Sequence, residues 1–202
     1  MCPVASLNQQ QAVNYKELLH KTVLLISSPT RAWEEIVQED RRRVAVNFVY
    51  PLIGLCALSV FIGCILSKGW SSPESFQYAM TQCCAVAISL FGGYYLAAYL
   101  INAVRVNIFG QDSSLLLSQQ FVGYAMVVCL LLRVVLGVLP DVMLVALVLQ
   151  FYTFYLVWEG SKVLMDIDDE RRVRFTVISS VIILLCPVII EQVFIKLMAT
   201  FN

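Results

Sequence analysis

Between Phe121 and Leu164 the chain is apolar almost without interruption, and its one break is Leu139-Pro140-Asp141. Proline has no backbone N–H to donate and ends a helix, while an aspartate can cap the next one. Each half of the stretch is about 20 residues, near the ~20 that an α-helix needs to cross ~30 Å of bilayer hydrocarbon. Two crossings joined by so short a turn form an antiparallel transmembrane hairpin. One charge, Arg133, sits deep inside it, away from Asp141 at the turn and from Glu159 and Lys162 near its end.

Composition extends this to the whole chain. Charged residues make up 14% and hydrophobic ones 59%, where soluble domains carry about 25% charged residues. The expected class is an all-α membrane protein. Net charge is zero, and a basic groove interleaved with aromatics is missing, which argues against nucleic acid. Of seven cysteines, Cys56, Cys64, Cys83, Cys84, Cys129 and Cys186 fall in apolar segments, where a thiol packs as a small hydrophobe. Without a Cys-x-x-Cys, and with His20 as the only histidine, no metal or other cofactor is expected. The N-terminus is polar and lacks the basic end and apolar run of a cleaved signal peptide.

Two regions follow in order. Residues 1–43 read as a cytosolic or interfacial amphipathic region, with 1–13 polar. Tyr15, Leu18, Leu19, Val23 and Ile26 recur at helical spacing. After Ser28-Pro29, Ala32, Trp33, Ile36 and Val37 share a second helical face. Both helices suit the membrane surface, with Trp33 as an anchor at headgroup depth; packing on the protein's own cytosolic loops is the alternative. Residues 44–202 read as a bundle of five transmembrane helices, with crossings at about 44–66, 76–104, 121–139, 142–165 and 173–198. Pro51 should kink the first, Pro187 lies in the fifth, and Trp70 marks an interfacial loop. Ala85, Ser89, Gly93 and Ala97 form a stripe of small residues on the second, a packing surface for another helix of this chain or of a further copy. Eleven of the 14 Lys and Arg fall on the N-terminal side of this plan, which puts the N-terminus in the cytosol and the C-terminus outside.

Some of these residues also form a pattern. Ser28-Pro29-x-x-x-Trp33-Glu34-x-Ile36 precedes the first crossing, and Gly123-Tyr124 enters the third. Gly160 is followed by a charged connector ending in Arg172 and Phe175, and the last crossing carries proline. This order resembles the bacterial branch of the Yip family, the Ypt/Rab-interacting protein domain, from about Tyr15 to the C-terminus. The resemblance implies a multi-pass protein with a trafficking-like or membrane-organising role, in the bacterial inner membrane. Eukaryotic members are linked to Rab GTPases through an acidic Asp-Leu-Tyr-Gly-Pro-type signature that is absent here, and that departure puts Rab binding in doubt.

Catalysis finds no support in the motifs. An intramembrane hydrolase needs an activated nucleophile or paired carboxylates at one depth. His20 lies outside the crossings, and Glu159 and Glu191 lie toward opposite ends of theirs. Ionisable groups within crossings are costly and are functional candidates by default. Arg133 and Glu191 are each roughly 10 Å in from the same end of parallel helices, at 1.5 Å per residue, and are expected to pair. Asn102, Arg105, Glu159 and Lys162 share a depth near the cytosolic side. They read as a polar cluster for an anionic headgroup or ion, or as a network that fixes helix register while its long side chains snorkel. Asp166-Ile167-Asp168-Asp169-Glu170 lacks the glycine of a calcium loop and reads as a solvated connector balanced by Arg171, Arg172 and Arg174. The leading expectation is a non-enzymatic scaffold, lipid-organising or partner-binding protein whose partners are membrane lipids and a protein or further copy of itself. The rival is a small oligomeric transporter or channel using the intramembrane polar residues; an assembly factor with no ligand is a third reading.

Overall fold

The computed structural model describes residues 15–69 and 72–201. The polar N-terminal stretch 1–13 and Trp70 lie outside the described residues. Among those described, every regular element is helical.

The chain opens with a short helical hairpin, α1 (Tyr15–Ser27) and α2 (Pro29–Val37). Ser28 stands at the N-cap of α2 without a side-chain cap bond, and Pro29 occupies the first helical positions, where a missing N–H costs nothing. Leu18, Thr22 and Leu25 of α1 and Ala32, Trp33 and Ile36 of α2 point inward.

A π-turn, Ala45–Val49, leads into α3 (Tyr50–Lys68). Tyr50 N–H reaches back five residues to Ala45 O, and the next residue, Pro51, donates nothing. Pro51 thus follows a widened turn, within a span that runs on unbroken from 45 to 68. Next comes α4 (Pro73–Asn107), whose N-cap Ser72 accepts the Ser75 N–H at 3.2 Å. Its 35 residues extend ~52 Å at 1.5 Å each, well beyond the ~30 Å of hydrocarbon.

The third crossing is not one straight helix. It consists of α5 (Leu115–Ala125) and α6 (Val127–Val138), bent by 43° where Met126 has a ψ of −6°. Its helix starts at Leu115, where Ser114 caps it by accepting the Leu117 N–H at 3.4 Å. A 3₁₀ turn at Pro140–Val142 leads to α7 (Met143–Gln150) and α8 (Tyr152–Val163); Asp141 makes no capping bond there. The last helix, α9 (Asp169–Phe201), carries Pro187 in its interior. Among the described residues, four continuous spans, 45–68, 73–107, 140–163 and 169–198, are long and apolar enough to cross a membrane, and there are five if the bent α5–α6 pair counts as one span. The protein is an all-α integral membrane protein.

Close backbone approaches hold the bundle. A Cβ on Gly93 of α4 would sit 2.7 Å from Pro187 Cα of α9, and one on Gly63 of α3 would sit 1.7 Å from the Gly137 carbonyl oxygen of α6. Without water to drive association in lipid, helices gain most from such contacts between small residues.

Candidate functional site

Trp33 seats the α1–α2 hairpin on the bundle, and the Tyr152 hydroxyl adds a hydrogen bond to Ile26 O at 2.8 Å. Trp33 is fully buried, and its indole N–H donates to Leu156 O at 3.1 Å. The ring stacks on Phe121 at 5.6 Å and meets Tyr124 edge-on at 6.3 Å. Gly160 makes the slot, since a Cβ there would approach the indole at 2.6 Å. The expectation that Trp33 anchors at headgroup depth is therefore corrected: the residue is a core pin between α2, α5 and α8. Beside it, Gln120 of α5 donates to Ile36 O at 2.7 Å.

Between α1, the turn after α2, the π-turn and α5 lies a half-enclosed polar cavity of about 290 Å³. Lys21 Nζ lies 2.6 Å from Glu17 Oε1 and 2.7 Å from Glu39 Oε1. The Tyr124 hydroxyl donates to Glu39 Oε2 at 2.5 Å. Burial works against the Lys21 ammonium, but its bonds to both carboxylates outweigh that and raise its pKa above the ordinary lysine value. Asp40 and Arg43 line the mouth 3.5 Å apart, and the π-turn adds Asn47. Sequence reasoning missed this site because its groups come from four separate segments. The visible hint was three basic residues, Arg41 to Arg43, after the acidic end of α2.

The four polar residues expected to cluster do not converge. Asn102 donates to Ser113 Oγ at 3.1 Å and accepts the Ser114 N–H at 3.0 Å, fastening the connector that starts α5. Buried Arg105 donates to Gln111 Oε1 at 2.9 Å, and Gln111 donates in turn to Met165 O at 2.9 Å. Glu159 instead accepts from Thr30 at 3.1 Å and lies 3.8 Å from Arg172, while Lys162 is exposed. Shared depth did not mean a shared side: the end of α4 faces its own connector, and α8 faces α2 and the start of α9.

Arg172 was expected in a solvated connector and is instead buried. It donates to Trp158 O at 2.8 Å and lies over the Trp158 ring at 4.0 Å. Arg172, Phe175, Thr176, Ser179 and Ile183 are all buried at helical spacing, a face that the sequence itself displays.

At the far end of the bundle the Arg133 guanidinium is hydrogen-bonded to the Glu191 carboxylate, joining α6 to α9 with side chains 31% and 18% exposed. On α4, Ala85, Ser89, Gly93 and Ala97 are buried, with Gly93 against α9 of the same chain. Among the described residues, no three of His, Cys, Asp and Glu are placed to hold a metal ion.

The family model described as the Yip1 domain matches residues 23–190. No curated protein and no solved structure matches the chain.

Proposed function

The chain belongs to the Yip1-domain family, and on that premise we propose that it is a non-enzymatic membrane-organising protein that sets a helical wedge into one leaflet. The observation that carries this is the surface of α1. Leu18, Thr22 and Leu25 pack on the protein, whereas Tyr15, Leu19, Val23 and Ile26 are 67%, 62%, 61% and 47% exposed. At about 100° per residue the two sets form one continuous apolar arc, with Lys16, Glu17, His20 and Lys21 opposite. Such a helix is suited to lie in the plane of the interface, half on the bundle and half in lipid. Docking through Trp33 fixes it there, so the inserted area is permanent. The excess of Lys and Arg on the hairpin side supports the cytosolic leaflet. A reporter that works only outside the cytosol should be active after Asn202 and silent at Ser6; equal signals would refute that orientation.

A transport path would need polar space running past Arg133 and Glu191. A polar cavity lies beside Lys21 and Tyr124, and Arg133 and Glu191 bind each other. Both facts favour the organising role. Reconstitution tests it: the wild-type chain should reduce vesicle diameter or draw tubules, and Leu19→Glu with Val23→Glu should abolish this while helix content stays the same. Unchanged remodelling by the double variant would sink the proposal.

A further inference from the structure

We infer that the cavity between α1, the π-turn and α5 binds the headgroup of a zwitterionic phospholipid bearing a primary ammonium, as in phosphatidylethanolamine. The inference rests on the reading that α1 lies at the membrane interface, because that places the cavity at headgroup depth. Val44, just before the first span, and Phe48 at its start are buried in the cavity wall, which sets the cavity at the membrane end of the bundle on that reading.

The charges decide which headgroup. Among the described residues that line it, Glu17, Glu39 and Asp40 stand with two cations, Lys21 and Arg43, a formal sum of one negative charge. A purely anionic headgroup is disfavoured by that balance, and a ligand with its own ammonium is favoured. The donors are placed for a phosphate as well. Arg43 meets Asp40 through Nε at 3.5 Å and is more than half exposed, and its guanidinium carries the paired N–H donors that a phosphate accepts. Lys21 spends two of its three N–H groups on Glu17 and Glu39, at 2.6 and 2.7 Å. Asn47 presents an amide from a π-turn, an element found frequently at functional sites. Asp40 accepts the Arg42 N–H at 3.1 Å through one oxygen and keeps acceptor capacity at the mouth for an ammonium. Choline cannot donate such hydrogen bonds, so the pocket should separate ethanolamine from choline lipids.

The test uses the full-length purified chain in detergent, with native mass spectrometry and thermal unfolding against phosphatidylethanolamine, phosphatidylcholine and phosphatidylglycerol of identical acyl chains. The ethanolamine lipid should bind roughly tenfold tighter than the other two, as expected for one or two charge-assisted hydrogen bonds. Arg43→Gln and Asp40→Asn change side chains that are 59% and 58% exposed, so folding is preserved and each should erase the preference. Lys162→Gln, an exposed cation outside the cavity, should keep it. Equal binding of the three lipids, or a preference that survives in both variants, would overturn the inference. So would binding of water-soluble glycerophosphoethanolamine as tight as that of the intact lipid. Because these measurements report lipid choice in detergent, they can fail while the vesicle-remodelling result stands, and the reverse holds too.

Discussion

The hairpin end of the molecule and its far end are built by different means. Around α2, α5 and α8, buried polar and aromatic side chains make directional contacts: Trp33 to Leu156, Gln120 to Ile36, Arg172 to Trp158. At the far end α7 exposes every residue but Ala146 and Gln150, and α6 meets α9 through the pair Arg133 and Glu191. A lipid-facing helix needs only apolar side chains, so almost any will serve. A surface element held at one angle needs specific partners, and the chain concentrates them there. The contrast teaches that directional contacts gather where the helical hairpin is seated on the bundle.

Trp33→Ala should break that contrast most. It removes a buried indole and its hydrogen bond, at a cost of about 3–5 kcal/mol, and thermal unfolding in detergent should fall steeply. Leu144→Ala on α7, where the side chain is 79% exposed, should change stability by less than about 0.5 kcal/mol. Comparable losses for both would mean that the two ends are not held differently. Gly93→Leu comes next. Its first added carbon would lie 2.7 Å from Pro187, so α4 and α9 must separate, costing about 1–3 kcal/mol. Parent-like unfolding would show that the two helices can part freely.

The far end is tested by Arg133→Ala and Glu191→Ala. Removing the arginine alone leaves a carboxylate in an apolar setting, a loss of about 1–3 kcal/mol once partial exposure is allowed for. The double variant should be less destabilised than Arg133→Ala alone. Strictly additive losses would reject the pairing.

Much of this plan was legible in the sequence, for physical reasons. Spans are set by hydrocarbon thickness, so a run of apolar residues of the right length is nearly sufficient. Depth was also readable, which is why Arg133 and Glu191 could be matched by counting from helix ends. What periodicity does not carry is the identity of the surface that an apolar face meets. Trp33 looked like an interfacial anchor because nothing local reveals the slot at Gly160, well over a hundred residues away. The bend at Met126 involves no proline, and the approach of Gly63 to Gly137 pairs two lone glycines rather than a stripe. Asn102, Arg105, Glu159 and Lys162 failed as a group because equal depth leaves the direction around each helix undetermined. Arg172 is different: its place on the face of Phe175 and Ser179 was visible, and its charge concealed it.

Depth measured by spin labelling tests most directly whether α1 lies in the interface with one arc in lipid. Labels at Leu19, Val23 and His20 in reconstituted protein should divide sharply. Positions 19 and 23 should be accessible to oxygen and shielded from a water-soluble relaxation agent, and position 20 should show the reverse. If the agent in water reached all three alike, α1 would lie free of the bilayer and the wedge would not exist.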